Sequence, residues 1–292
     1  MSASPPDRLP LVSELSESDV RLADGRTLHV YEAGPADGFP VVWLHGTPNL
    51  GPPPRPLFDS ARRLGLRWLG YDRPGYGRST PHRGRTIGDA AGDVGAIADA
   101  LGVPRLAVVG HSGGGPHALA CGALLPGRVS AVAAISGLAP YGADGLDWFD
   151  GMAPAGVASL TAATRGRAEK EAFEADPPDE PDIGFTPADW AALSGDWAWM
   201  LEVVQGAQQA GGPGAVDDDL AAVAPWGFEP ADAAAPVLVV HGDADRMVPP
   251  QHGRWLADRI PDAELWLRPG DGHITALRSG DAVLDWVARH RP

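Results

Sequence analysis

The sequence predicts an α/β protein: a doubly wound, mostly parallel sheet interrupted by an inserted helical cap. Three observations lead there. Six short apolar runs are spread along the chain, and each ends at a polar or glycine residue. Segments of helical periodicity lie between them. The alternation stops between about Ala139 and Pro225 and then resumes.

Residues 1–15 are rich in Ser, Pro and acid and read as a flexible arm. Two short strand candidates between Val20 and Glu32 are broken by Ala23-Asp24-Gly25, a hairpin signal. The six runs follow: Val41–Leu44, Arg67–Tyr71, Leu106–Val109, Val129–Ile135, Val237–Val240 and Ala263–Leu267. Apolar character on both faces is what buried parallel strands require. From Ile87 to Leu101 the apolar residues Ile87, Ala90, Ala91, Val94, Ile97, Ala98 and Leu101 form one helical stripe, ended by Gly102 and Pro104. Asp258 and Arg259 close another helix, and Ile274–His290 forms the last.

Within the interruption, Trp190, Leu193, Trp197, Leu201 and Val204 lie on one stripe opened by the cap signal Thr186-Pro187. Asp217-Asp218-Asp219 opens a further short helix, with acids at its positive end. Four tryptophans in the region argue for order. The expected division is an arm at 1–15, a core at 16–139 and 226–292, and a helical cap at 140–225.

Composition narrows the function. A length of 292 residues suits one α/β core with an inserted subdomain. With 44% hydrophobic and 21% charged residues the chain is not mainly disordered. A net charge of -15 disfavours nucleic acid and anionic lipid as partners. Cys121 is the single cysteine, so no internal disulfide and no cysteine-based zinc site can form. Lys170 is the single lysine, and in its charged Arg-Gly-Arg-Ala-Glu-Lys-Glu setting we set lysine chemistry aside. Met1–Pro10 lacks an apolar run preceded by positive charge and no 18 consecutive apolar residues occur, so neither a signal peptide nor a membrane span is expected, and a cytoplasmic protein is.

The chemistry gathers at strand ends. Gly110-His111-Ser112-Gly113-Gly114 follows one strand and precedes a helix-compatible run. A nucleophile on so sharp a turn needs glycines two before and two after it, because strand and helix pass too close for side chains. The turn also sets Ser112 at a helix N-terminus, where backbone N–H groups can face an oxyanion. A serine needs a base. Among the histidines, His29 alternates within a strand, His82 sits in a polar loop, and His252 and His290 sit on helix surfaces. His111 and His117 are too near Ser112 along the chain, and His45 and His241 end core strands. His273, in Gly270-Asp271-Gly272-His273 after the last strand, is the best base. Asp243 or Asp245 could orient it, both lying beyond a strand's carboxyl end. The amide of Thr47, in His45-Gly46-Thr47-Pro48, can donate to the oxyanion, while Pro48 stiffens the turn.

Five motifs together resemble the α/β-hydrolase superfamily, in its branch with a helical cap. They are His-Gly-Thr-Pro at 45–48, Asp-Arg-Pro-Gly-Tyr-Gly-Arg-Ser at 72–79, Gly-His-Ser-Gly-Gly at 110–114, Gly-Asp-Ala-Asp-Arg-Met-Val-Pro at 242–249 and Gly-Asp-Gly-His at 270–273. The resemblance implies a catalytic set of Ser112, Asp245 and His273, oxyanion donors at the amides of Thr47 and Gly113, and a structural role for the 72–79 loop. A glycine at 113, where a larger residue often stands, implies a more open pocket. Serine at 112 disfavours the relatives that carry aspartate there. The near absence of lysine disfavours hydroxynitrile lyases, and the lack of a tryptophan after Ser112 disfavours a proline iminopeptidase.

The expected activity is hydrolysis of a small to medium, largely apolar carboxylic ester, lactone or thioester through an acyl-enzyme. The alternatives are carbon–carbon bond hydrolysis of a ring-cleavage diketone, cofactor-free perhydrolysis with the same three residues, and a non-catalytic binding protein on the same fold. Trp148, Trp190, Trp197, Trp199 and Trp226 are the candidate pocket residues. No metal or cofactor is implied, the expected partner is a small-molecule substrate, and nothing in the sequence speaks to oligomeric state.

Overall fold

The computed structural model describes residues 15–177 and 181–292; the expected N-terminal arm lies almost wholly outside them. Eight strands form one sheet: β1 (Ser16–Arg21), β2 (Thr27–Ala33), β3 (Phe39–Leu44), β4 (Leu66–Tyr71), β5 (Leu106–His111), β6 (Val129–Ile135), β7 (Val237–Gly242) and β8 (Ala263–Arg268). Their spatial order is β1-β2-β4-β3-β5-β6-β7-β8. β1 pairs with β2, and β2 with β4, antiparallel; every other pairing is parallel. Helices α1 (Phe58–Arg63), α2 (Asp89–Ala100), α3 (Gly114–Leu124), α9 (Pro250–Arg259) and α10 (Gly280–Arg289) cover its faces. Between β6 and β7 run α4 (Pro154–Thr164), α5 (Arg167–Ala175), α6 (Pro187–Leu193), α7 (Trp199–Ala210) and α8 (Gly214–Val223).

Strand alternation divides the core in two. Val42, Leu44, Val108 and Val239 pack on one face with residues of α2, α3 and α9. Val41, Trp43, Val109 and Val240 pack on the other with α10 and with Leu193, Trp199 and Met200 of the cap. The strand order reverses direction between β3 and β5, so the carboxyl ends of those two strands flank a crevice. That crevice is where ligands bind in open α/β sheets.

Several expectations change at this level. The last helix is two pieces, a 3₁₀ turn over Thr275–Ser279 followed by α10. The Trp190–Val204 stripe is split between α6 and α7, and Trp190 and Leu201 are exposed because the break at Ser194–Ala198 rotates the two halves apart. β8 is only half-buried, since as an edge strand it pairs with β7 alone. α8 begins at Gly214, and its three acids are held by cations rather than left at a helix end. Lys170 is fully buried, its ammonium 2.6 Å from Asp219 and 2.5 Å from Glu174. His252 is also fully buried: its Nε2–H donates to the Trp148 carbonyl at 2.9 Å and its Nδ1 accepts from the Ala139 amide at 3.1 Å. Among the described residues no helix is long and apolar enough to cross a membrane.

Candidate active site

Ser112 occupies the turn from β5 into α3 with φ +55°, a left-handed conformation costly for a serine. Two backbone bonds hold it there. Its amide donates to the Ile135 carbonyl at 2.9 Å, and its carbonyl accepts from the Gly115 amide at 2.9 Å. The glycines are sterically required: a Cβ on Gly110 would lie 2.2 Å from the Gly114 carbonyl oxygen, and one on Gly114 would lie 1.9 Å from that of Leu44.

His273 stands on the loop after β8 and is 2% exposed. Its Nδ1 lies 2.8 Å from Asp245 Oδ2, so Nδ1 carries the proton and donates it to the carboxylate, leaving Nε2 as the basic nitrogen. The other oxygen of Asp245 accepts from the amides of Met247 at 2.9 Å and Val248 at 3.0 Å. Burial pushes this carboxyl up, but the charge and hydrogen bond of His273 outweigh that and hold it below the usual carboxylate range. Asp243 plays no such part. It accepts from the Gly270 amide at 2.7 Å on the exposed side of the turn.

Ser112 and His273 line the same cavity. No hydrogen bond joins them among the described residues, and catalytic contacts are commonly long until substrate binds. His111 steadies the loop from below, its Nε2–H donating to the His273 carbonyl at 3.1 Å. Burial pushes the His111 imidazole down to about 3, so it remains a neutral donor.

Gly113 lies against Thr47: a Cβ on Gly113 would approach Thr47 N to 3.5 Å and Thr47 Oγ1 to 2.5 Å. The glycine therefore does not open the pocket as expected. The space is taken by the Thr47 side chain, which donates to Asp218 at 2.6 Å. The Thr47–Pro48 peptide is cis.

Two chambers meet at Ser112, sharing Thr47, Pro48, Ile183 and Met247. One, of about 300 Å³, runs past Gly113 to Leu138, Leu160 and Val248, with Ser159, Glu174 and Asp219 at its polar end. The other, of about 330 Å³, runs past His273 between Phe185, Trp190, Leu193, Met200 and Val204. Of the five candidate tryptophans only Trp190 lines either chamber. Trp197 and Trp199 are packed in one core cluster, Trp226 is buried in the other and meets Phe228, and Trp148 lies in a small cluster with Met152 and Leu160. Large flat side chains at helical spacing served burial there.

Sequence reasoning missed an ionic clamp behind the Thr47 loop. Asp218, on α8, accepts from Arg73, from Arg85 at 2.6 Å and from Tyr76 at 2.7 Å. Arg73 also donates to the carbonyls of His45 and Gly46. Burial raises the Asp218 carboxyl, but the two guanidiniums overcome it and hold it well below the carboxylate range. The Asp72–Ser79 motif thus reaches the Thr47 loop through Arg73. The available signal was two arginines, 73 and 85, facing an aspartate run in an otherwise apolar helix.

A family model for the alpha/beta hydrolase fold matches residues 40–278. A non-heme chloroperoxidase of Streptomyces lividans is 31% identical over 84% of this chain and 87% of the relative. A putative carbamate hydrolase, RutD, of Variovorax paradoxus is 28% identical over 90% of this chain and 96% of the relative. A thermophilic esterase of Thermogutta terrifontis shares the fold at a TM-score of 0.66 and 20% identity, over 94% of this chain and all of the other.

Proposed function

The chain belongs to the α/β-hydrolase fold family and is a serine hydrolase of that superfamily, and from this premise we propose that it cleaves a carboxylic ester, lactone or thioester with sizeable apolar groups on both sides of the carbonyl. The reading rests on one observation above all. An imidazole oriented by the buried Asp245 carboxylate, 2.8 Å from its Nδ1, shares a cavity with a serine in a left-handed turn.

In this reading His273 Nε2 takes the Ser112 hydroxyl proton as Oγ attacks the carbonyl carbon. The amides of Thr47 and Gly113 receive the oxyanion. The leaving-group oxygen collects the proton from His273, so the chamber beside His273 suits the leaving group. The chamber beside Gly113 suits the acyl chain. Water, deprotonated by His273, then attacks the acyl-enzyme, releasing the carboxylic acid and restoring Ser112.

Turnover of a p-nitrophenyl ester series tests this. Short and medium acyl chains are expected to be hydrolysed, with Ser112→Ala lowering kcat by at least about 10³-fold. A folded wild-type protein inert toward esters, lactones and thioesters alike contradicts the reading. A second reading draws on the relative named as a chloroperoxidase. There the acyl-enzyme forms from a carboxylic acid with loss of water, and hydrogen peroxide replaces water as the attacking species, giving a peracid. Peroxide- and acetate-dependent oxidation of bromide, lost in Ser112→Ala, would favour it.

A further inference from the structure

Asp189 belongs to the cap, in the first turn of α6, yet its carboxylate is fully buried against the loop that carries His273. Its two oxygens have different work. Oδ2 caps its own helix, accepting from the Thr186 amide and the Thr186 hydroxyl, each at 2.9 Å. That completes a capping box, and α6 asks nothing more of the side chain.

Oδ1 turns to the core. It accepts from the amide of Ile274 at 2.9 Å, the amide of Thr275 at 2.8 Å and the Thr275 hydroxyl at 3.0 Å. These two amides directly follow His273 and open the 3₁₀ turn, where N–H groups have no partner of their own. On the other side of His273, a Cβ on Gly272 would lie 2.0 Å from Asp189 Oδ2, so the carboxylate also sits against the residue before the histidine. Thr275 Oγ1 in turn accepts from the Gly272 amide at 2.7 Å, closing the loop around the carboxylate.

We propose that Asp189 is a positioning residue for His273: a cap carboxylate that holds the histidine loop at the height from which the imidazole reaches Ser112. The inference rests on the serine-hydrolase reading above. His273 is then held in three ways, by Asp245 on its ring, by His111 on its carbonyl and by Asp189 on the amides that follow. Packing agrees, since Ala192 and Leu193 of α6 share one apolar cluster with Ile274 and Leu277 of the loop and turn. A movement of the cap that lifts α6 would release the histidine loop.

The test compares Asp189→Ala, Asp189→Asn and Thr186→Ala with wild type, by p-nitrophenyl butyrate kinetics and by the rate of Ser112 labelling with a fluorophosphonate. Asp189→Ala is expected to lower kcat and the labelling rate by roughly 10- to 100-fold with KM changed less than about threefold, because misplacing the base costs chemistry rather than binding. Asp189→Asn is isosteric and keeps an acceptor for the Ile274 and Thr275 amides, so it is expected to recover kcat to within about fivefold of wild type. Thr186→Ala removes the capping box while sparing Oδ1, and is expected to lower thermal stability but leave kcat within about threefold. If Asp189→Ala keeps its kcat, or if Thr186→Ala loses as much, the positioning role is overturned. A wild type that neither turns over the ester nor takes the label overturns the serine-hydrolase reading, and the role of Asp189 with it.

Discussion

Asp245 and Asp243 stand two residues apart in one turn; their residue type and place left both open as partners for His273, and only the family resemblance favoured Asp245. Geometry separates them: Asp245 meets the imidazole at 2.8 Å, while among the described residues the Asp243 carboxylate meets the Gly270 amide instead. The difference has a chemical consequence. In Asp245→Asn, the amides of Met247 and Val248 retain the side-chain oxygen and turn the Nδ2 group toward His273. The ring must then accept at Nδ1 and carry its proton on Nε2, the wrong tautomer for a base. Ester turnover by Asp245→Asn is expected to fall by roughly 10³- to 10⁴-fold, and that by Asp243→Ala by less than about threefold. Equal losses would contradict the assignment. Ser112, Asp245 and His273 could be singled out because the proposed chemistry demands particular residue types at strand ends. The pocket tryptophans were not, because a helical stripe shows that residues share a face without showing what that face meets; Trp197 and Trp199 turned to the core.

At the scale of elements, the cap is tied to the core through buried charge. α8 brings Asp218 against Arg73 and Arg85, and α6 brings Asp189 against the histidine loop. A buried ion cluster is weak evidence of net stabilisation, but removing one charge from it is costly. Asp218→Asn leaves two buried guanidiniums without a counter-charge and loosens Thr47. A loss of about 3 to 5 kcal/mol is expected, seen as a lower denaturation midpoint by urea titration, together with a lower kcat. A variant as stable and as active as wild type would show that the clamp is not needed. Little of this was legible. The aspartates of α8 were read as acids at a helix's positive end, and Arg73 as part of a structural loop. Ion pairs between segments more than a hundred residues apart leave no periodic trace. The six apolar runs, by contrast, were legible to within two residues at each end, because such runs have few other uses in a buried parallel sheet, whereas the exposed edge strand β1 starts at Ser16, four residues before the expected Val20.

The whole molecule carries several histidines that are neutral by burial. Burial pushes His111 and His117 down to about 3 and His252 to about 4, and it lowers His45 and His241 as well. In the unfolded chain each titrates near 6.5, so between those values the unfolded chain binds more protons than the folded one. Stability therefore falls as the pH drops below about 6.5, by about 2 kcal/mol at pH 5 for each of the first three. The depressed carboxylates of Asp245 and Asp218 act in the same direction, but only as the pH falls below their unfolded range near 3.8, whereas burial raises the carboxyls of Asp72, Asp93 and Asp219, which act the opposite way. The thermal midpoint is expected to fall steadily from pH 7 to pH 5; a flat profile over that range would contradict the buried, neutral state of these rings.

In the proposed function Ser112 is an activated nucleophile. The most direct measurement is the intact mass of the folded protein after exposure to a small fluorophosphonate, beside that of Ser112→Ala. A single phosphonyl adduct is expected on the wild type and none on the variant. A folded wild type without an adduct, or an equal adduct on Ser112→Ala, would contradict it.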